Sequence, residues 1–320
     1  MREAVLRIVE AGPQCSVQDG GRPGLMRFGV PASGAMDRVA MMLANRALGK
    51  APGAAVLEVS LGGLVLEVEQ GALSVAVAGG GFVIRCGGLS AGSWSVLTLR
   101  EGDRLEVRRG PWGAWCALAV AGDVQGEGWL GSLSTHALSG LGGGALVAGR
   151  RLVIRAPRLV PERAIACPVW ARPRGEVALV IGPQERFFPG DRLEALLGSR
   201  FRLTDAYDRM GVRLRGPAMP PEGALAIPSE PVLRGSVQVA GDGVATVLLA
   251  DHQTTGGYPK IATLVGSELD AFVQLRPHAA VAFRAVTPEE AIAMVRLRAA
   301  ALARIMDGDQ GRTGGGAAWG

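Results

Sequence analysis

Short apolar runs that end at glycine turns dominate the chain between residues 55 and 155. They recur about every ten residues, which is the spacing of an antiparallel barrel or sandwich. The predicted strands are 56–59, 64–68, 73–77, 82–85, 94–99, 103–107 and 116–120. Residues 100–103 are predicted to form a hairpin turn between two of these strands. The pattern as a whole predicts a mainly β fold.

Two helices interrupt the β pattern. Apolar residues at helical spacing predict one over 35–48, with Ser33 as its N-cap and Gly49 just past its end. Asp37 falls in the first turn, where it either matches the helix dipole or takes part in catalysis. A second helix is predicted to start at Thr287, because Pro288 and Glu290 complete a capping box.

The proline-rich segment 157–175 divides the chain. We expect an N-terminal β-barrel unit over 1–156, a linker over 157–175, and a second β-rich unit with its closing helix over 176–307. The glycine-rich stretch 308–320 is expected to be a disordered tail. A chain of 320 residues is long enough for two such domains.

Composition and charge narrow the functional class. The chain has a net charge of +5, but its arginines are scattered among acidic residues, which disfavours nucleic-acid binding. Four cysteines without CxxC spacing give no basis for a zinc site, and no metal site is predicted from the sequence. The first ten residues carry charges and there is no long apolar run, so neither a signal peptide nor a membrane span is expected. These features predict a cytoplasmic globular protein with reduced thiols.

The segment from Asp251 to Lys260 holds the richest polar chemistry. Lys260 is one of only two lysines, against 32 arginines, which suggests a requirement for a compact ammonium group. An apolar strand at 245–250 leads into this segment, which contains two glycines and the polar residues Gln253, Thr254, Thr255 and Tyr258. The pattern is typical of a small-molecule site, although a polar turn with a solvated lysine would look similar.

Three further polar loops could contribute to a site. Residues 18–22 place Gln18, Asp19 and Arg22 beside two glycines, which suits recognition of a carboxylate or a phosphate. Residues 132–135 offer three hydroxyl groups, including that of Ser134. Residues 208–211 place Asp208 beside Arg209, where a local salt bridge is the simpler interpretation. The chain has no Walker A motif, no HExxH and no nucleophile elbow.

These loops together resemble a known family. The resemblance is carried, in order, by Val17-Gln18-Asp19, Gly21-Arg22, Gly29-Val30-Pro31, Ser33-Gly34-Ala35-Met36-Asp37, Ala44-Asn45-Arg46, Leu57-Glu58, Gly131-Ser132, Ser134-Thr135, Gly182-Pro183-Gln184, Asp208-Arg209-Met210-Gly211, Gly235-Ser236-Val237-Gln238-Val239 and the run from Asp251 to Lys260. The chain is similar to the second allophanate-hydrolase-type subunit, over about residues 4–290. That family includes the C subunit of bacterial ATP-dependent 5-oxoprolinase and half of the carboxyltransferase domain of urea carboxylase.

The resemblance implies two cyclophilin-like β-barrel units in one chain. It also implies a homologous partner protein of the B type, a larger partner protein of the A type, and a reaction that hydrolyses ATP, with Mg, to open 5-oxoproline to glutamate. Neither lysine lies in a Met-Lys-Met biotinylation site, so no covalent biotin is expected on this chain.

The expected chemistry assigns roles within the site. Lys260 and Arg22 are the candidate cations for developing oxyanions, and Asp251 or Asp19 could orient water or a metal-bound nucleotide. The expected substrate- or nucleotide-binding residues are Gln18, Ser134, Gln184, Arg209, Gln253, Thr254, Thr255 and Tyr258. Two alternatives remain open at this point. They are a half-domain of a biotin-dependent carboxyltransferase, and a regulatory antagonist of a histidine-kinase inhibitor.

Overall fold

The fold was obtained as a computed structural model, which describes residues 3–223 and 227–308. Thirteen strands form the N-terminal part in two sheets. They are β1 (Glu3–Ala11), β2 (Ser16–Gln18), β3 (Val56–Ser60), β4 (Leu64–Gln70), β5 (Ala72–Ala78), β6 (Val83–Cys86), β7 (Leu89–Gly92), β8 (Ser95–Arg100), β9 (Arg104–Arg108), β10 (Trp115–Val120), β11 (Asp123–Val124), β12 (Arg151–Arg155) and β13 (Arg163–Ala164).

The seven-stranded sheet has the order β11-β12-β1-β4-β9-β6-β7, and the six-stranded sheet has the order β13-β8-β5-β10-β3-β2. The predicted hairpin at 100–103 is therefore wrong. A turn does occur there, but β8 pairs with β5 while β9 pairs with β4 and β6, so the turn connects the two sheets. The apolar core lies between the sheets, since residues such as Leu66 and Leu118 alternate inward along their strands.

Nine further strands lie in the described residues of the C-terminal part. They are β14 (Glu176–Ile181), β15 (Arg200–Tyr207), β16 (Gly211–Arg215), β17 (Glu230–Pro231), β18 (Ser236–Val239), β19 (Ala245–Leu248), β20 (Thr255–Gly256), β21 (Lys260–Leu264) and β22 (Ala280–Ala285). Seven of these close into a barrel in the order β14-β21-β18-β19-β16-β15-β22, while β17 and β20 pair separately. Apolar side chains such as Val237 and Val247 fill the barrel. The mainly β fold with few helices is confirmed.

The described residues also form four α-helices: α1 (Arg38–Ala47), α2 (Gly190–Gly198), α3 (Leu269–Phe272) and α4 (Pro288–Asp307). Helix α1 packs on the outer face of the six-stranded sheet, where β5 and β10 present alanines at alternate positions. Small side chains there let the helix approach closely. None of the described helices is long and apolar enough to span a bilayer.

The helix predicted over 35–48 is shorter than expected. Asp37 rather than Ser33 is its N-cap, because the Asp37 carboxylate accepts a hydrogen bond from the backbone N–H of Ala40 at 2.8 Å. Ser33 has a left-handed φ of 53° and so lies in a turn before the helix. The prediction for α4 is confirmed in detail, since Thr287 and Glu290 form a reciprocal capping box.

The segment 157–175 packs on the N-terminal part. It contains β13, which pairs with β8, and a 3-10 helix at Val169–Ala171. Helix α4 also returns to this part, where Ile305 and Met306 pack against α1. The domain boundaries stay a prediction. The expected disordered tail, apart from Gly308, lies outside the described residues.

The two parts of the chain meet through buried polar contacts. Gln274 accepts hydrogen bonds from the backbone N–H groups of Ala114 and Trp115 and donates to the Trp115 carbonyl at 2.9 Å. It also donates to the Asp37 carboxylate at 2.6 Å. A single amide from the C-terminal part thus satisfies four groups of the N-terminal part. Such fully paired networks fix one orientation between packed units.

Candidate functional site

A buried ion triad lies between the two parts of the chain. Arg209 follows β15 and donates two hydrogen bonds of 2.9 Å to the Asp251 carboxylate, which follows β19. It also donates to Glu58 on β3 and to the carbonyl of Gly34. All three charged side chains are at most 3% exposed. The local salt bridge expected for Arg209 is therefore replaced by a long-range one, while Asp208 accepts hydrogen bonds from the backbone N–H groups of Met210 and Gly211.

The protonation of this triad follows from burial and charge. Burial raises the pKa of the Glu58 carboxyl, and the attraction of Arg209 only partly offsets this effect. For Asp251 burial is also the largest single influence. Arg209 and the hydrogen bonds to Asp251 together nevertheless hold the pKa of Asp251 below its ordinary value. Asp251 is thus the anchored anion of the triad.

Asp19 is the centre of a second polar cluster. One carboxylate oxygen accepts hydrogen bonds from the hydroxyls of Ser132 and Ser134, each at 2.6 Å, and from the N–H of Gly21 at 2.8 Å. The other oxygen accepts the N–H of Leu133 at 2.7 Å. Because four protein donors already surround Asp19, its main contribution here is to hold the 18–22 and 132–135 loops together.

Arg22 lies beside Asp19 in the same cluster. Its guanidinium stacks 4.6 Å from the ring centroid of Trp129 and donates to the carbonyls of Trp129 and Ser134. Its Nη1 is buried and has no hydrogen-bond partner within the described residues. Burial lowers the pKa of Arg22, partly offset by Asp19 and Asp251. A buried donor without an acceptor is costly, so this nitrogen is suited to a ligand oxygen.

Lys260 forms a third cluster on β21. Its side chain is 4% exposed, which excludes the solvated lysine that the sequence left open. The ammonium lies 3.5 Å from the carboxylate of Glu230 on β17, yet Nζ makes no hydrogen bond to any described residue. Gln184 accepts a hydrogen bond from the backbone N–H of Lys260 at 2.8 Å and donates to Glu230 at 2.5 Å.

A groove of about 480 Å³ adjoins the Lys260 cluster. Gln238, which pairs with Lys260 in the register of β18 and β21, lines it together with Gln253 and Tyr258. Gln253 donates to Gln238 at 3.1 Å, and Gln238 donates to the carbonyl of Tyr258 at 3.3 Å. A separate cleft of about 550 Å³ reaches Arg209 of the triad. The groove thus offers a small molecule the side-chain amides of Gln238 and Gln253 and the phenolic hydroxyl of Tyr258.

The structure distributes the predicted site residues over these clusters. The Arg209 cluster lies at the junction of the two parts. Asp19 and Gln18 bind residues of the N-terminal part, where Gln18 donates to Ser16 and to the carbonyl of Thr135. Thr254 contributes its carbonyl to Val232, and Thr255 lies exposed in β20. Asp251 and Lys260, neighbours in the sequence motif, thus serve different clusters. Gln253 and Tyr258 line the groove. Lys260 and Gln184 belong to the cluster beside it.

Three partners were missing from the predicted site. Glu58 lies in an otherwise apolar strand, and a carboxylate at such a position was the signal that it needs a buried charged partner. Glu230 sits in a proline-flanked segment with no pattern of its own, and Gln238 alternates with core valines on β18. Their roles depend on pairing between distant strands.

Magnesium does not fit Asp19 or Asp251, the two carboxylates that the sequence offered for a metal-bound nucleotide. Asp19 accepts four protein donors, and Asp251 is held by Arg209 and by the N–H of Ala137. Within 3–223 and 227–308, no group of three or more His, Cys, Asp or Glu residues is placed to hold a metal ion. A divalent ion would need oxygen ligands that these residues do not present.

Comparison with known proteins decides the family. The family model described as carboxyltransferase domain, subdomain A and B, matches residues 28–285. The chain belongs to this carboxyltransferase family. The match includes the whole ion triad and Lys260, and so extends over both parts of the fold.

Named proteins that are similar to this chain include two 5-oxoprolinase subunits and one solved structure with the same fold. The chain is 31% identical to the C subunit of 5-oxoprolinase from Escherichia coli, over 90% of this chain and 93% of the relative. It is 30% identical to the C subunit of 5-oxoprolinase from Haemophilus influenzae, over 91% and 94%. The Kluyveromyces lactis urea carboxylase has the same fold, with a TM-score of 0.85 at 23% identity. That alignment covers 95% of this chain but 29% of the carboxylase.

Proposed function

We propose that this chain is the C subunit of an ATP-dependent 5-oxoprolinase, which converts 5-oxoproline, ATP and water to glutamate, ADP and phosphate. The observation that carries the proposal is the match to two 5-oxoprolinase C subunits over nine-tenths of both chains. The urea carboxylase, by contrast, is a much longer protein of which this chain spans less than a third.

The chemistry of the site supports a reaction on an oxygen-rich substrate. A lactam is resonance-stabilised, so its opening requires activation. Phosphorylation of the amide oxygen by ATP would release ADP and give an imidate-like carbon. Water would add to this carbon, and the C–N bond of the ring would then break, with the nitrogen leaving as the protonated amine and an acyl phosphate remaining. A second water would release phosphate from the acyl phosphate and leave glutamate. Such a step requires positive charge and hydrogen-bond donors near the substrate oxygens. Lys260 Nζ and Arg22 Nη1 are buried donors without acceptors among the described residues, and we propose that they serve this purpose.

The other predicted residues either contact the substrate or position the loops in this proposal. Gln253 and Tyr258 line the groove and are candidates for substrate contact. The polar groups of a second set are occupied by one another and by neighbouring groups, so they hold the loops in place. That set is Asp19, Asp251, Ser134 and Arg209.

The nucleotide requires surfaces beyond this chain. Because Asp19 and Asp251 are occupied by protein donors, we propose that ligands for Mg and most contacts to ATP come from partner proteins of the A and B types. The complex would then operate in the cytoplasm, where ATP is available. The isolated chain is expected to be inactive.

A carboxyltransferase is the second candidate, because the family model itself carries that description. In such a system this chain would bind a carboxylated carrier that is attached to another protein. Both candidates require a small anionic or carbonyl-bearing substrate at the same clusters, so the assay must separate the reactions.

Co-expression with the neighbouring genes tests the proposal. The purified complex should release ADP and glutamate in a 5-oxoproline-dependent manner, while each isolated component should not. Transfer of a carboxyl group from carboxybiotin, without 5-oxoproline-dependent ATP hydrolysis, would establish the second candidate instead. Robust turnover by this chain alone would contradict the requirement for partners.

A further inference from the structure

The ammonium of Lys260 is an unusual polar group among the described residues. It is almost fully buried, yet none of its three N–H donors has an acceptor within hydrogen-bond geometry. Buried ammonium groups are normally paired and hydrogen-bonded, since an unpaired one loses its hydration without compensation. A site of this kind is complete only when a further acceptor is present.

The counter-ion that the described structure places near Lys260 is partly exposed and lies outside the barrel. Glu230 lies 3.5 Å away, and its side chain is 45% exposed. It belongs to β17, which pairs with β20 over only two positions, outside the closed barrel. An element with so few pairing contacts can move away at low cost compared with a barrel strand. Displacement of Glu230 would break its hydrogen bond from Gln184 and disturb the short β17–β20 pair, while Lys260 would stay in place on the barrel strand β21.

Gln184 connects the two groups. Its side-chain carbonyl is fixed by the backbone N–H of Lys260, so its amide nitrogen points toward the Glu230 carboxylate. The amide N–H and the ammonium thus converge on one carboxylate. If Glu230 withdrew, both donors would remain directed at the same place, where another carboxylate of similar size could bind.

We propose that Glu230 occupies the place of the substrate carboxylate and is displaced when that carboxylate binds Lys260 and Gln184. The occupant would be a monoanionic carboxylate, because a single ammonium and a neutral amide balance one negative charge. The identity of the substrate as 5-oxoproline rests on the proposed function, whereas the carboxylate site rests on the geometry alone. Glu230 then acts as a specificity residue, since it disfavours any ligand that cannot replace its charge.

The two lysines of the chain make a direct test possible. Lysine labelled with ¹³C at Cε gives two side-chain NMR signals, and Lys260→Met assigns them. Lys50 donates to the carbonyls of Val120 and Gly122 on another part of the molecule and serves as an internal control. Acetate, 5-oxoproline and 2-pyrrolidinone, the lactam without a carboxylate, are the three probes.

Glu230→Gln should strengthen the binding of acetate and 5-oxoproline, measured at the Lys260 signal, by about tenfold, because the competing charge is gone. Lys50 should not respond, and 2-pyrrolidinone should leave Lys260 unchanged. Glu194→Gln, an exposed glutamate on α2, is the matched control and should bind as the wild type does. An unchanged Lys50 signal and melting temperature show that each variant is folded.

The outcomes separate this inference from the proposed function. No response of Lys260 to either carboxylate in a folded Glu230→Gln chain, or an equal response to 2-pyrrolidinone, would overturn the carboxylate site. A response to acetate but not to 5-oxoproline would uphold the site and count against 5-oxoproline as the substrate. Weaker carboxylate binding in Glu230→Gln would show that Glu230 is a ligand partner and not a competitor, and would overturn the displacement.

Discussion

Replacement of Arg209 by methionine tests whether the buried triad holds the two parts of the chain together. Methionine keeps much of the side-chain volume but removes the hydrogen bonds to Asp251, Glu58 and Gly34. Two carboxylates that are at most 3% exposed would then share a site without a counter-ion. Breaking a buried ion pair in this way costs about 3–5 kcal/mol, a large part of a typical unfolding free energy.

The loss should depend on pH in a defined direction. In the wild type Arg209 helps to hold the pKa of Asp251 below its unfolded value, so that stability is present above the ordinary carboxyl range and is lost on acidification. Without Arg209, burial should raise the pKa of both carboxyls, as it already does for Glu58. The variant would therefore be most destabilised at pH 8 and less so at pH 5.

Denaturant unfolding followed by tryptophan fluorescence at both pH values measures the effect. Arg213→Met is the matched control, because Arg213 forms an ion pair with Asp242 in which both side chains are about half exposed. That variant should change stability by less than about 1 kcal/mol. Glu58→Gln combined with Arg209→Met should recover part of the loss by removing one unpaired charge. A loss below about 1 kcal/mol for Arg209→Met, or one independent of pH, would refute the reasoning.

Three further predictions concern other residues. Lys260→Ala should lower kcat/KM of the assembled complex by about a hundredfold or more. Lys260→Arg should restore little of this activity, because a planar guanidinium does not replace a compact ammonium. Wild-type rates in a folded Lys260→Ala complex would show that Lys260 is not part of the site. Burial raises the pKa of Asp37 to about 7, so its ionisation destabilises the fold as pH rises from about 4 to 7. Asp37→Asn should therefore lower the melting temperature of the protein less at pH 8 than at pH 5. A difference in melting temperature between wild type and variant that is the same at both pH values would contradict this. Thr287→Ala should lower the free energy of unfolding by about 1 kcal/mol, because the α4 cap is lost. Denaturant unfolding measures this loss, with Thr255→Ala at an exposed position as the control. Equal losses in the two variants would argue against the cap.

Local patterns in the sequence were sufficient where short-range physics decides the outcome. The capping box at Thr287 was predicted correctly, because a cap needs only residues within one helical turn. Asp37 was placed in the first turn of its helix, although the cap was assigned to Ser33. The two candidates lie four residues apart, and the residue types around them do not reveal that Ser33 has a left-handed backbone.

Strand pairing shows the opposite case. The turn at 100–103 was correctly located, but the strands on either side belong to different sheets. A turn signal fixes where the chain reverses, whereas pairing depends on which distant strands offer complementary edges. The same limit applies to Arg209, whose partners Glu58 and Asp251 lie 151 and 42 residues away.

The sequence by itself determined that this is a mainly β protein whose polar loops match one family. The short apolar runs, the glycine turns and the order of the motifs are local features that can be read directly from the sequence. Only the tertiary structure decided how those loops combine. It buried Lys260 beside Glu230, joined Arg209 to Glu58, and separated Asp251 from Lys260. The physical reason is that burial and charge pairing depend on contacts between strands remote in sequence, and these form only when the barrel and the two sheets have packed together.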